Sequence, residues 1–190
     1  MKRIALIGLL TFLTLVNFSQ TKMPKPKTVE DVNYTNYVGK WYEIARLDNR
    51  FEKDLVGVTA TYTATKKPSK IKVLNEGYKY NLNGKHKQSK GCAKVKGEGK
   101  LKVSFFWPFS APYWILDVDK TNYAYALVGT PDFKYLWVLS RLPKLDKTIY
   151  DGLIAKAKGM GYPTEKLLMV EQPDEMMVKP PVKSKKRAKK

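Results

Sequence analysis

Cysteine and histidine are nearly absent from this chain of 190 residues, which contains one of each, Cys92 and His86. A lone cysteine excludes an internal disulfide and a four-cysteine zinc site, and a lone histidine argues against a histidine-rich metal centre. We therefore expect neither a metal site nor a cofactor. The sequence also lacks a Gly-x-Ser-x-Gly elbow, a phosphate-binding glycine loop and a His-Glu-x-x-His pair, so it predicts a protein that is not an enzyme.

Acidic residues are scarce as well: 17 Asp and Glu stand against 36 Lys and Arg, which gives a formal net charge of +19. Residues 30–172 hold 24 of the basic and 15 of the acidic residues, a net +9, and the rest of the excess lies at the two ends. A basic surface favours anionic ligands and anionic membranes. The lysines at positions 85, 87, 90, 94, 96, 100 and 102 form either an ordinary solvated face or, together with the C-terminal tail, a contact surface for an anionic membrane. Nucleic acid is the disfavoured partner, because the chain is predicted to be exported.

The apolar run at residues 4–16 is too short to cross a bilayer, since about 20 residues are needed. It follows a basic head and precedes small and polar residues, a pattern typical of a secretory signal peptide. We predict cleavage after Ser19 and export to a periplasm or out of the cell; an uncleaved membrane anchor is the alternative. No cysteine lies near the end of this segment, so a lipobox lipoprotein is not expected.

The signal peptide at residues 1–19 is followed by three further segments. Residues 20–29, with two prolines and three lysines, are predicted to be a linker, and residues 173–190 are predicted to be a disordered basic tail. Residues 30–172 then form a single domain.

Strand patterns dominate residues 30–172. Residues 58–65 alternate apolar side chains at even positions with threonines at odd positions, which is the period of a half-buried strand. Similar patterns predict strands at 41–47, 71–80, 85–95, 100–107, 113–118, 123–129 and 135–141, with turns between them that include residues 108–112. A helix from the N-cap Asp146 to a stop at Gly161 and a short strand at 167–170 complete the pattern. Sequential strands without crossover helices predict an all-β fold, an eight-stranded antiparallel up-and-down β-barrel with a C-terminal α-helix outside; a β-sandwich also fits.

The segment Gly39-Lys40-Trp41-Tyr42-Glu43-Ile44 stands at the head of the first predicted strand. It resembles the Gly-x-Trp signature of the lipocalin family in its extended form, and the segments 49–52, 110–116 and 135–141 match the same family. The resemblance covers residues 30–172 and is closest to bacterial outer-membrane lipocalins, apolipoprotein D and plant temperature-induced lipocalins. One departure is Asn122, where the second motif of the family commonly has Asp.

The resemblance implies a structural role for Gly39, Trp41 and Arg141. In the family, the tryptophan plugs the closed end of the barrel and an arginine from the last strand lies across it, an arrangement worth about 0.5–2 kcal/mol. We assign these residues to the stability of the fold and not to ligand contact.

Alternation from these anchors predicts which side chains face the barrel interior. Counting back from Arg141 gives positions 139, 137 and 135, and counting on from Trp41 gives positions 43 and 45. The candidate ligand-binding residues are Trp137, Trp107, Leu139, Tyr135, Phe105, Tyr62, Asn75 and Glu43. For Trp107, Trp137 and Leu139 the resemblance itself implies a position in the ligand pocket. The alternative for all of them is ordinary packing in a filled barrel.

Glu43 is the charged residue among these candidates. A carboxylate in an apolar barrel is costly unless it is paired, hydrogen-bonded or protonated. It could bind the polar end of a ligand, but a structural partner such as an interior Tyr or Arg is favoured.

The resemblance implies an exported protein that binds a small hydrophobic or amphiphilic ligand of the fatty-acid or lysophospholipid class. Its expected role is lipid transport, scavenging or maintenance of the cell envelope. Two alternatives stay open. One is a lipocalin-fold enzyme acting on a lipophilic substrate, for which Glu43 is the inward-facing candidate, and the other is a surface adhesion protein that acts through the basic tail.

Overall fold

The computed structural model describes residues 24–173. The predicted signal peptide, the first residues of the predicted linker and the tail beyond residue 173 lie outside the described residues. From 24 to 173 no helix has both the length and the hydropathy that a membrane span requires.

The described chain is built mainly from strands. In chain order they are β1 (Gly39–Leu47), β2 (Leu55–Ala64), β3 (Lys70–Lys79), β4 (His86–Gly97), β5 (Lys100–Phe106), β6 (Phe109–Val118), β7 (Tyr125–Gly129), β8 (Leu136–Ser140) and β9 (Leu167–Met169). The helices are α1 (Tyr34–Tyr37) and α2 (Lys147–Gly159), and a 3₁₀ turn spans Thr164–Lys166.

Each strand from β1 to β8 pairs antiparallel with the next, and β8 pairs back onto β1. The sheet therefore closes into an eight-stranded up-and-down barrel, which confirms the predicted fold and excludes the sandwich. β1 starts at one end of the barrel, the closed end. The loops 48–54, 80–85, 107–108 and 130–135 lie at the opposite end, which we call the mouth.

The closed end is sealed by Trp41, which is fully buried and donates its indole N–H to the carbonyl oxygen of Tyr37 at 2.8 Å. The guanidinium carbon of Arg141 lies 3.8 Å from the centroid of the Trp41 ring. The same guanidinium donates to the backbone carbonyls of residues 36, 37, 38, 40 and 123. One side chain thereby ties the chain before β1, β1 itself and the turn before β7 to the end of β8.

Gly39 sits directly beneath this guanidinium. Its φ is +107°, and a Cβ at this position would lie 3.0 Å from Nη1 of Arg141. A side chain here would be strained in the backbone and would also push the arginine away from Trp41.

Residues 170–172 close a gap between β1 and β2, which separate toward the mouth. The Val170 N–H donates to the carbonyl of Ile44 at 2.9 Å. The side-chain amide of Gln172 donates to the carbonyls of Glu43 and Val58 at 2.8 and 2.9 Å. We call this set of hydrogen bonds the seam.

Helix α2 begins at the predicted N-cap, where the Asp146 carboxylate accepts the backbone N–H groups of residues 148 and 149. Leu153 and Ala157 are buried against the outer faces of β1, β7 and β8. Gly161, with φ at +98°, follows the last turn as predicted.

Three local features differ from the sequence prediction. Residues 109–112, predicted as part of a turn, belong to β6, and the β5–β6 hairpin reverses at Trp107-Pro108. Helix α1 was not predicted. Within the predicted linker, Val29 packs on the barrel core and donates its N–H to the carbonyl of Ile115 at 2.9 Å, and the Thr28 hydroxyl donates to the carbonyl of Glu98 at 3.0 Å, so residues 28 and 29 lie against the closed end.

Replacing Arg141 by Gln should lower the free energy of unfolding by about 2–4 kcal/mol, because several carbonyls lose their donor and Trp41 loses its cation contact. Urea unfolding followed by circular dichroism measures this loss. Arg50→Gln is the matched control, since Arg50 also lies over an aromatic ring, that of the exposed Phe51. Equal effects of the two substitutions would contradict the structural role of Arg141.

Candidate functional site

A β-bulge in β1 determines which charged groups enter the barrel. The register with β8 shifts between Glu43 and Ala45, so the strict alternation from Trp41 ends there. Ala45 packs in the outer cluster beneath α2, and the prediction that it faces the interior is wrong. Arg46 occupies the inward position instead, three residues after Glu43.

Glu43 and Arg46 form a buried ion pair, with Nη1 of Arg46 2.8 Å from Oε1 of Glu43. The side chains of both residues are almost fully buried. Burial raises the pKa of Glu43 well above the usual range of a carboxyl, and the nearby Glu52 carboxylate raises it further. The Arg46 guanidinium acts in the opposite direction without offsetting these two effects.

Arg46 also fixes the loop between β1 and β2. Its Nη2 donates to the carbonyls of Glu52 and Leu55 at 2.8 and 3.1 Å. The Glu52 carboxylate in turn accepts from the side-chain amide of Asn49 at 2.6 Å and from the indole N–H of Trp137 at 3.0 Å. The loop at the mouth is thus connected to the inner face of β8 through a single carboxylate.

Deeper in the barrel, three tyrosine hydroxyls meet. The Tyr113 hydroxyl is 2.7 Å from that of Tyr37 and 2.8 Å from that of Tyr62. Burial is the largest cause of the raised pKa values of all three phenols, so they stay protonated at neutral pH. Each hydroxyl can therefore both donate and accept, and the cluster satisfies itself without a charge.

Seven aromatic rings form a continuous column from the mouth to the closed end. The column runs Phe51, Tyr135, Trp137, Tyr113, Tyr62, Tyr37, Trp41, with successive centroids 6.5, 5.7, 6.5, 6.1, 5.5 and 5.1 Å apart. The lower rings are buried, whereas Tyr113, Trp137 and Tyr135 keep part of their surface exposed. The accessible stretch of the column is therefore its upper half.

The structure gathers most of the candidate ligand-binding residues in or beside this column. Tyr62, Trp137 and Tyr135 are members, and Leu139 and Phe105 pack on the same inner cluster. Asn75 also faces inward, between Ala60 and Ser89 of the neighbouring strands. Its Oδ1 is buried and has no hydrogen-bond partner among the described residues.

Trp107 is placed differently from its predicted position on the inner face. It is 92% exposed at the tip of the β5–β6 hairpin. Strand β5 ends one residue earlier, at Phe106, and its register with β6 shifts between Val103 and Phe106. The inward series of β5 therefore stops at Phe105.

Several residues of this site were not among the candidates, including Tyr37, Arg46, Glu52 and Tyr113. Tyr113 shares the parity of the buried Ile115, so the same alternation rule could have found it. Alternation counted from Trp41 does not predict that Arg46 faces inward, because the bulge changes the parity of β1 after Glu43. Glu52 and Tyr37 lie outside the main strands, where alternation gives no information.

Two surface depressions of about 530 and 390 Å³ are also present. The first lies between the closed end and the start of α2, and the second lies beside β9 near the mouth. Neither is lined by any of the eight candidate ligand-binding residues. Within residues 24–173 no three His, Cys, Asp or Glu side chains come together in a way that could hold a metal ion.

Comparison with known proteins gives a consistent assignment. A family model described as a lipocalin-like domain matches residues 32–172. Outer membrane lipoprotein Blc of Vibrio cholerae is 44% identical over 77% of this chain and 86% of its own length. Apolipoprotein D of Mus musculus is 34% identical over 88% of this chain and 91% of its own. The structure of insecticyanin from Manduca sexta covers 80% of this chain and 87% of its own, with a TM-score of 0.65 and 22% identity, and shows the fold alone.

The Glu43→Gln substitution should alter how stability depends on pH. Because the folded pKa of Glu43 is raised, its stabilising contribution is full below the unfolded carboxyl pKa and is lost as pH rises through the folded pKa. Urea unfolding from about pH 4 to about pH 8 should show the native chain losing stability relative to E43Q as pH rises. Glu165→Gln, which removes an exposed carboxylate, should track the native curve. Parallel curves for the native chain and E43Q would refute the raised pKa.

Proposed function

The chain belongs to the lipocalin family, and from this premise we propose that it binds a small hydrophobic or amphiphilic molecule, of the fatty-acid or lysophospholipid class, inside its barrel. The observation that carries the proposal is the aromatic column, whose upper rings remain partly exposed inside the wall of the barrel. An acyl chain lying against these rings would gain about 0.8 kcal/mol for each methylene removed from water.

Entry of such a chain has a structural requirement. Trp137 is held to the mouth loop by its hydrogen bond to Glu52, and Tyr113 is held by two other tyrosines. We propose that a ligand reaching past Trp137 toward Tyr62 displaces the Trp137 ring or the loop that holds it. We propose that the loop 48–54 moves when ligand enters and that Arg46 limits this movement.

The polar end of the ligand has two groups of partners. Asn75 offers a buried acceptor that has no partner within the described barrel, suited to a hydroxyl or amide donor. Lys85 and Lys87 are exposed at or near the mouth and suit an anionic head. Of the predicted roles, we propose ligand contact for six residues: Trp137, Tyr135, Phe105, Tyr62, Leu139 and Asn75.

The enzyme alternative loses its support at Glu43. Its carboxylate is engaged by Arg46 at 2.8 Å, and its backbone carbonyl accepts from Gln172, so the residue has a structural explanation. We propose that the protein is a binding protein and not an enzyme.

Export to a periplasm or out of the cell remains a proposal from the apolar segment at 4–16. Two relatives are named as an outer membrane lipoprotein and an apolipoprotein, and an exported protein is consistent with both names. The chain has its one cysteine in β4, so we propose that no lipid is attached at the end of the signal segment. Its proposed roles are lipid transport, scavenging or envelope maintenance, with an anionic membrane as a second partner.

The delipidated chain from residue 20 onward should bind one fatty acid or one lysophospholipid per molecule, measured by isothermal titration calorimetry. Trp137→Ala should weaken the affinity about tenfold or more, because the ring lies at the centre of the accessible part of the column. Trp114→Phe is the matched control, since Trp114 packs on the outer cluster beside α2. Folded protein that takes up neither lipid would remove the proposal, and equal effects of both substitutions would move the site out of the barrel.

A further inference from the structure

Three large aromatic side chains are exposed at the tip of the β5–β6 hairpin. Phe106, Trp107 and Phe109 are 75%, 92% and 76% exposed and are adjacent in the hairpin, where Phe106 pairs with Phe109. Phe51 and Tyr80, on two other loops at the mouth, are 66% and 72% exposed. Exposed aromatic side chains concentrated in this way mark a contact site.

The barrel wall that leads to this hairpin is basic. The outward positions of β3, β4 and β5 carry seven exposed lysines: Lys70, Lys72, Lys90, Lys94, Lys96, Lys100 and Lys102. None of them makes an ion pair with a carboxylate of residues 24–173. The one acidic residue of these three strands is Glu76, which lies 3.4 Å from the imidazole of His86. We call this surface the lysine wall.

The register of β3, β4 and β5 places lysines of this wall directly opposite one another, which lowers the stability of the sheet. Lys94 lies directly opposite Lys70 on one side and Lys102 on the other. Like charges directly opposite each other destabilise a sheet. A row of three such lysines across three strands is therefore explained better by an anionic partner than by stability.

We propose that the protein docks on an anionic lipid bilayer with the β5–β6 hairpin tip inserted among the headgroups and the lysine wall facing the membrane surface. This deepens the membrane contact under the proposed function by naming the inserting element and the orientation. The aromatic tip enters the apolar boundary, and the lysines pair with lipid phosphates. The lysines of the wall run from this tip back toward the closed end, so the barrel lies along the bilayer surface with the rim of its mouth against the headgroups.

A bilayer fits both halves of this surface better than a protein or a nucleic acid does. The tip offers an apolar projection, and the wall offers a row of positive charges. An anionic bilayer provides a plane of negatively charged headgroups for the lysines and an apolar layer beneath it for the aromatic tip. A soluble polyanion would satisfy the lysines and leave three large aromatic side chains in water.

The test uses the chain from residue 20 onward with vesicles of phosphatidylglycerol and, separately, of phosphatidylcholine. Trp107 emission is isolated as the difference between the native chain and Trp107→Phe. We expect a blue shift with the anionic vesicles and quenching when their acyl chains are brominated. The double substitution Trp107→Ser, Phe109→Ser should weaken vesicle binding about tenfold or more, because insertion is removed.

The lysine wall is tested by Lys94→Gln combined with Lys102→Gln. Each lost lysine should weaken binding to anionic vesicles about fivefold and reduce its salt dependence. Leu142→Ser, an exposed apolar position at the closed end, and Lys158→Gln on α2 are the controls and should bind as the native chain does.

Trp107 emission that does not change with anionic vesicles overturns the proposal, even if the lysines and the basic tail hold the protein to the vesicles. Loss of binding in Leu142→Ser equal to that of the hairpin variant also overturns it. Trp107→Ser, Phe109→Ser should keep its fatty-acid affinity in calorimetry without vesicles. Failure of docking and failure of ligand binding are thereby measured separately.

Discussion

The contact of Arg141 with Trp41 is the interaction on which the rest of the barrel depends. A barrel must join its last strand to its first, and backbone pairing of β8 with β1 does this only along the strands. At the closed end the guanidinium adds hydrogen bonds to carbonyls on three separate parts of the chain. The indole below it seals the interior from water. The contact thereby holds the start of β1 against the end of β8, where the two strands meet at the closed end.

The bulge in β1 is the second constraint, and it gives the interior its charge. Without it, Arg46 would face outward and Glu43 would be buried without a partner. With it, the two residues pair, and Arg46 reaches on to the backbone of the mouth loop. The same local irregularity therefore gives the buried Glu43 carboxyl a hydrogen-bond partner and positions Glu52 against Trp137. The hydrogen bond between the Trp137 indole and the Glu52 carboxylate joins the charged residues of the candidate site to its aromatic column.

Much of the fold follows from the sequence because each strand keeps a period of two between strong turn signals. The resemblance to the lipocalin family rests partly on Gly39, Trp41 and Arg141, which meet at the closed end, and the matching family model and relatives confirm the family. Single inward positions were harder to predict, since one extra residue in β1 reverses the parity after Glu43. The predicted inward position of Trp107 is wrong because β5 ends at Phe106, after a register shift with β6, and Trp107 lies in the turn beyond it. Tyr37 and Glu52 required contacts between segments far apart in the chain, which no local pattern contains.

The seam at residues 170–172 has a mechanical consequence. Gln172 lies next to the last described residue, and its amide bridges the carbonyls of β1 and β2 where these two strands are no longer paired with each other. Any tension applied to the segment beyond residue 173 reaches these hydrogen bonds first and loads them one after another, as in peeling. The barrel would then lose the cross-link between β1 and β2 near its mouth, while the arginine at the far end, which carries none of that load, keeps its strands joined.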